Sequence, residues 1–213
     1  MPHALRAEAP GAIHHVVAKG TAGQEIVHDD IDRSALLVRL ARTVELHRWS
    51  CWAYCLMDTH FHLIVETSDP NLGIGMKWVK ASYAQDFNRR YNRRGHVFGG
   101  RFYSQMIERD QHLLEACIYV VLNPVRAGLV DLPEAWPWSS YRASAGLAAA
   151  PRPLDPQHFL EFLDTRRKVA ERLFASTVVE TFERDRNLIH QSLPALRFAE
   201  TRRAGSDPTP LGV

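Results

Sequence analysis

The sequence predicts an α+β fold in which an antiparallel sheet carries helices on one face. Short runs of alternating apolar and polar residues indicate strands, and two longer segments have apolar residues at helical spacing. The elements follow one another as strand, helix, strand, strand, helix, strand, which is the ferredoxin-like order. Such a sheet leaves its second face open, so polar side chains on that face are available for a site.

The first strand, helix and second strand occupy the N-terminal part of the chain. Residues 13–19 are rich in β-branched side chains and end at Gly20, which predicts a strand, although its histidines cannot be assigned to a face. From residue 30 to 47, leucine and valine alternate with charged residues at helical spacing, which predicts an amphipathic helix. Residues 51–56 are predicted to form the second strand, which turns at residues 58–59 into the third.

The third strand combines a clear pattern with residues that chemistry can use. Phe61, Leu63 and Val65 alternate with His60 and His62, so the two histidines share the face opposite the apolar residues. Residues two apart are about 6.6 Å apart at the backbone, since a strand rises about 3.3 Å per residue. Neutral imidazole is a common metal ligand, so the pair supplies two ligands. In the alternative interpretation, one histidine caps the turn and the other is half exposed.

A second predicted helix follows residue 71 and ends in a basic segment, residues 88–95. Guanidinium groups pair with phosphate oxygens, and the interleaved Tyr91 suits stacking on an unpaired base, which indicates a nucleic-acid contact. A solvated helix face is the alternative interpretation. Residues 98–107 are predicted to form the fourth strand, with a flexible entry. The arginines of this basic segment are Arg89, Arg90, Arg93 and Arg94.

A third helix is predicted from about Asp110 to about Leu122. We expect it to end before Pro124, because the residue preceding a proline avoids the helical conformation. Tyr119 and Asn123 lie four residues apart, so they are neighbours on the helix surface, away from the apolar side. That apolar side is predicted to consist of Leu114, Cys117, Ile118 and Val121.

The remainder of the chain is predicted to be an appendage to this domain. Residues 1–145 form the domain, the Ala- and Pro-rich residues 146–156 read as a linker, and residues 157–213 are predicted to be a helical extension with a disordered tail.

Composition is that of an ordinary globular protein, with 46% hydrophobic residues and a net charge of +2. No segment approaches the length of a membrane span and no signal peptide is apparent, so we expect a cytoplasmic location. Three cysteines within apolar patterns predict reduced, buried thiols. A zinc site at Cys51 and Cys55 is the less favoured alternative.

His60-Phe61-His62, followed by Tyr119 and by Asn123-Pro124-Val125-Arg126, resembles the single-tyrosine HUH transposases, and most closely their REP-associated branch, the RAYT proteins. The resemblance covers roughly residues 13–144, including Gly100-Arg101-Phe102 and the segment 136–141.

The resemblance implies an HUH transposase fold and a metal-dependent endonuclease and strand transferase active in DNA transposition. Its implied ligands for Mg²⁺ or Mn²⁺ are His60, His62 and Asn123, and Tyr119 is the implied nucleophile. Tyr119 would form a 5′-phosphotyrosine with single-stranded DNA beside a hairpin, without a nucleotide cofactor, in a monomer or homodimer. The predicted DNA contacts are Arg89, Arg90, Arg93, Arg94, Arg101 and Arg126.

Two other functions are kept open. The chain could be a catalytically inactive DNA-binding protein of the same fold, or a metal-dependent phosphodiesterase that uses water while Tyr119 is structural.

Overall fold

A computed structural model of the chain describes residues 8–107 and 111–203 and confirms the predicted α+β fold. Four strands form one antiparallel sheet in the order β2-β3-β1-β4. The strands are β1 (Ala12–Lys19), β2 (Trp49–Leu56), β3 (His60–Thr67) and β4 (Tyr103–Ile107). The helices are α1 (Asp30–His47), α2 (Leu72–Arg90), α3 (Gln111–Arg126), α4 (Tyr141–Ser144), α5 (Gln157–Leu160) and α6 (Arg167–Arg203).

Helices α1 and α2 pack on one face of the sheet and enclose the main core. α1 begins at the predicted residue because the side chain of Asp29 accepts hydrogen bonds from the backbone N–H groups of Ile31 and Asp32. The two helices bury leucine, methionine, valine and aromatic side chains against the sheet. The core residues include Val16, Leu36, Leu40, Phe61, Leu63, Met76, Val79, Tyr83 and Phe87.

The strand register decides which side chains face away from this core. In the pairing of β1 with β3, Val16 lies opposite Leu63 and Val17 lies opposite His62. Because side chains alternate between the faces of a sheet, His62, His60 and His15 all lie on the face opposite α1 and α2.

This second face of the sheet is partly covered, although the sequence predicts that it is open. Helix α3 packs across β2 and β3 on that side, since its apolar stripe needs a partner. Cys117, Ile118 and Val121 are buried as predicted, but Leu113 is buried where Leu114 was expected, and Leu114 is half-buried. The uncovered part of the face lies over β1 and β4.

Two predicted boundaries are wrong. α3 continues through Pro124 to Arg126, and Gly128, with φ of 69°, closes it through hydrogen bonds from Gly128 N–H to the Val125 carbonyl and from Leu129 N–H to the Pro124 carbonyl. β4 begins at Tyr103 rather than at residue 98, because residues 98–102 form a loop that meets the chain at the end of β1 through a bridge between Phe98 and Gly20 and a hydrogen bond from the Gly99 N–H to the Lys19 carbonyl.

Residues 146–156, predicted as a linker, pack against the sheet. Leu154 is buried in the core, and the Asp155 N–H donates to the Cys51 carbonyl at 2.8 Å. The chain divides into two compact units, Met1–Ala175 and Ser176–Val213. The described part of the second unit is helical, and the predicted disordered tail falls mostly on residues 204–213, outside the described residues. Across the described ranges, no helix combines the length and the apolar character that a membrane crossing requires.

Candidate active site

A cleft of about 990 Å³ lies between the uncovered part of the sheet and α3. It brings together four predicted site residues from two separate elements, β3 and α3. Its lining includes His15, Lys19, His60, His62, Tyr103, Glu115, Tyr119 and Asn123.

The turn before β3 holds the two histidines of that strand in place. The Met57 N–H donates to the His60 carbonyl at 2.9 Å, and Asp58 is ion-paired with Arg33 on α1. Thr59 Oγ1 lies 3.0 Å from His60 Nδ1. The ring centroids of His60 and His62 are 4.9 Å apart, so the two imidazoles stand side by side in the cleft.

A third histidine, His15, was missed by the sequence analysis. Its Nε2 lies 3.0 Å from Nδ1 of His62, and the two rings stack with centroids 5.3 Å apart. The sequence pattern of β1 is a weak signal for this residue. Apolar residues of β1 lie on both faces of the sheet, so the pattern does not show which face each histidine occupies.

Burial lowers the basicity of all three imidazoles. The pKa of His62 falls to about 3, first through burial and then through its neighbours His60, His15 and Lys19. Burial also lowers the pKa of His60, with a smaller contribution from Lys19, and that of His15. The rings are therefore neutral at neutral pH, the form in which imidazole binds metals. Nε2 of His62 is buried and has no hydrogen-bond partner among the residues that the structure describes.

Tyr119 lies on the cleft side of α3 with 44% of its surface exposed. Its ring centroid is 5.8 Å from that of His15 and 6.0 Å from that of His62, in edge-on contacts. The guanidinium carbon of Arg126 lies 5.0 Å from the centre of the tyrosine ring. A phenol, three imidazoles and a cation thus share one site.

Asn123 lines the same cleft and also supports its own helix. Its Nδ2 donates to the Tyr119 carbonyl at 2.8 Å and lies 3.5 Å from the Val120 carbonyl, which Pro124 cannot serve because proline lacks an N–H. With the amide nitrogen engaged in this way, the amide oxygen is the atom left for a ligand.

The predicted DNA-contacting arginines are not equivalent in the structure. Arg90 forms ion pairs with Asp29 and with the buried Asp32. Its hydrogen bond to Asp29, followed by that from the Asp32 backbone N–H, lowers the pKa of Asp29 to about 2. Its guanidinium therefore ties α2 to the start of α1. Arg94 and Arg101 are exposed and form no ion pair with any described residue.

The other predicted arginines lie between these extremes. Arg89 is exposed and lies 3.6 Å from Asp86, while Arg93 donates to Gln24 at 3.2 Å and packs over Phe87. Arg126 is exposed beside Tyr119.

Residues 136–141 pack beside the strand that precedes the histidine turn. It runs beside β2, where the Leu56 N–H donates to the Trp138 carbonyl and the Ser140 N–H to the Tyr54 carbonyl, both at 2.9 Å. Arg33, which is ion-paired with Asp58, lies 5.5 Å from the ring centre of Trp136. Through these contacts, residues 136–141 stabilise the turn that precedes the histidines of β3.

Within the described ranges, no group of three or more His, Cys, Asp and Glu side chains is arranged to hold a metal. The predicted ligand set contains only two residues of these types, because its third ligand is the side-chain amide of Asn123. The thiols of Cys51 and Cys55 are free and buried, and burial raises the pKa of Cys51 to about 12. Protonated thiols are poor metal ligands, which argues against the zinc alternative.

Comparison with known proteins bears on the family. No model of a known protein family matches the chain. A Haemophilus influenzae protein named as a REP-associated tyrosine transposase is 26% identical over 111 residues, which cover 47% of this chain and 63% of the relative. The predicted resemblance is confirmed.

The match spans less than two thirds of that REP-associated tyrosine transposase. A solved structure, that of a REP-associated tyrosine transposase bound to a REP hairpin, superposes with a TM-score of 0.59 at 16% identity. The superposition covers 73% of this chain and 93% of that structure, so the two proteins share a fold.

Proposed function

We propose that this protein nicks and rejoins single-stranded DNA beside a hairpin, with Tyr119 as the nucleophile. The observation that carries this proposal is an exposed phenol in one cleft with His60 and His62, the latter having a buried and unpartnered Nε2. A hairpin substrate is supported by the solved relative with a REP hairpin bound, and the proposal extends that substrate class to this chain.

The donor set fits a divalent metal ion. A buried polar atom without a partner costs about 1–3 kcal/mol, so the unpartnered Nε2 of His62 calls for a ligand. His60, His62 and the amide oxygen of Asn123 would hold Mg²⁺ or Mn²⁺, of which Mn²⁺ tolerates nitrogen ligands better. When bound, the ion supplies charge neutralisation at a phosphodiester, which otherwise repels nucleophiles.

The protein's own residues provide the covalent chemistry. The Tyr119 oxygen attacks phosphorus and loses its proton, a phosphotyrosine bond to the 5′ side forms, and the 3′ oxygen leaves and takes up a proton. The reverse step, with a 3′-hydroxyl as nucleophile, rejoins a strand. Arg126 places a positive charge next to the attacking ring. Because one phosphoester bond replaces another, the cycle needs no nucleotide cofactor.

The exposed arginines are the proposed contacts to the DNA backbone, and a paired substitution tests this. We expect Arg94→Gln to weaken hairpin binding and to reduce the slope of log affinity against log salt by about one, with stability unchanged. Arg90→Gln should instead lower the melting temperature, because Asp32 would be left buried without its cation. Equal effects of both variants on DNA affinity would contradict this division.

Covalent trapping tests the nucleophile. Labelled single-stranded hairpin DNA is incubated with Mn²⁺ and the protein, with and without chelator, and then run on a denaturing gel. We expect an adduct that the chelator prevents and that Tyr119→Phe abolishes while hairpin binding persists. Tyr103→Phe is the matched control, because Tyr103 is an exposed tyrosine of the same cleft and should be dispensable.

The same gel separates the other two functions. A mobility shift without cleavage would identify a DNA-binding protein without turnover. Free nicked product without an adduct would identify a phosphodiesterase that uses water.

A further inference from the structure

We propose that His15 is a positioning residue that fixes the orientation and tautomer of His62, so that the lone pair of His62 Nε2 faces the ligand position. This inference rests on the proposed function and deepens it, since it assigns a role to a residue outside the predicted ligand set.

The contact between the two rings is specific. His15 Nε2 lies 3.0 Å from His62 Nδ1, and the ring planes are inclined by only 20°. His62 is opposite Val17 in the sheet, so His15 approaches it diagonally from the neighbouring strand. Among the residues that the structure describes, no other side chain forms a hydrogen bond with His62.

The pairing selects one tautomer of His62. When two neutral imidazoles share a hydrogen bond, one nitrogen donates and the other accepts. If His62 Nδ1–H donates to His15, then His62 Nε2 carries a lone pair and is ready to bind a metal. In the reverse arrangement Nε2 carries a hydrogen that has no acceptor and blocks the ligand position.

Partners on the far nitrogen of a metal-binding histidine set its ring orientation and basicity, and their removal typically costs roughly 10- to 100-fold in metal affinity. His15 occupies that place for His62. It is half-buried, so its own remaining nitrogen can reach water, and the pair needs no further protein partner.

Metal affinity and tautomer state test the role in two independent ways. In calorimetric titrations with Mn²⁺, we expect His15→Phe to bind roughly 10- to 100-fold more weakly than wild type. His15→Gln should recover most of the affinity, because it retains an acceptor oxygen. His112→Phe is the control, because His112 lines the same cleft without contacting His62 and should leave the affinity unchanged.

Nitrogen-15 NMR of the metal-free protein reads the tautomer directly. We expect His62 to carry its hydrogen on Nδ1 in wild type and to lose this single tautomer in His15→Phe, while melting curves confirm that the variant is folded. A wild-type hydrogen on Nε2, or unchanged Mn²⁺ affinity in folded His15→Phe, would overturn the assignment.

Failure of the proposed function looks different. A wild type that binds no Mn²⁺ and forms no DNA adduct would count against the nickase. The tautomer measurement in metal-free protein then judges the His15 assignment by itself.

Discussion

Polar rings buried on the two faces of the sheet differ in whether their polar atoms find hydrogen-bond partners. On the face beneath α1 and α2, the Tyr83 hydroxyl donates to the Ile26 carbonyl at 2.5 Å, and the Trp49 indole donates to Asn71 at 2.6 Å. On the cleft face, His62 is only 5% exposed, yet its Nε2 has no hydrogen-bond partner within the described part of the chain. Other buried polar atoms also lack a partner among the described residues, including Thr67 Oγ1 on the core face. His62 Nε2, however, belongs to a ring that lines the cleft beside Tyr119, which marks it as a place where a ligand is expected.

Two tyrosines, one on each side of the sheet, differ in the exposure of their side chains. Tyr83 is 1% exposed and completes the core, whereas Tyr119 is 44% exposed and faces the cleft. The buried ring of Tyr83 contributes to the stability of the core, whereas the ring of Tyr119 is accessible to a reactant. This difference is the physical reason for proposing a catalytic role for Tyr119 alone.

The largest expected effect lies on the core face. Phe61→Ala should lower the free energy of unfolding by about 3–5 kcal/mol, because Phe61 is fully buried and truncation leaves a cavity. Chemical denaturation measures the change. His60→Ala, its half-buried neighbour on the other face, should cost less than about 1 kcal/mol. Comparable losses would mean that both faces are packed alike.

An intermediate effect is expected at the tyrosines. Tyr83→Phe should cost about 1–3 kcal/mol, because the Ile26 carbonyl would lose its buried donor. Tyr119→Phe should change the free energy of unfolding by less than about 0.5 kcal/mol. Thermal and urea unfolding of the two variants checks the contrast, which fails if Tyr119→Phe is the more destabilised protein.

The smallest expected effect lies at His62. His62→Leu should change the free energy of unfolding of the metal-free protein by less than about 0.5 kcal/mol, because removal of the buried Nε2 offsets the loss of the hydrogen bond to His15. DNA adduct formation should be lost in the same variant. A clear fall in stability would show that the imidazole is already satisfied in the folded protein, and the comparison of the two faces would not hold.

Much of the fold could be predicted from local patterns. The bounds of α1 were predicted correctly because the Asp29 cap and the helical spacing of its apolar residues agree. The end of α3 could not be predicted, because the rule for residues before proline was overridden by packing on the sheet and by the Asn123 side chain. The start of β4 was misplaced because Phe98 and Phe102 are strand-favouring residues, although residues 98–102 do not pair as a strand.

The candidate site shows the same division. A strand period of two is a local property, so the pattern alone placed His60 and His62 on one face and away from Phe61. Tyr119 and Asn123 were paired by the geometry of a single helix. Bringing these pairs together, adding His15 and tying Arg90 to Asp29 and Asp32 depended on strand register and helix docking. These are contacts between residues distant in the chain, which no local pattern encodes.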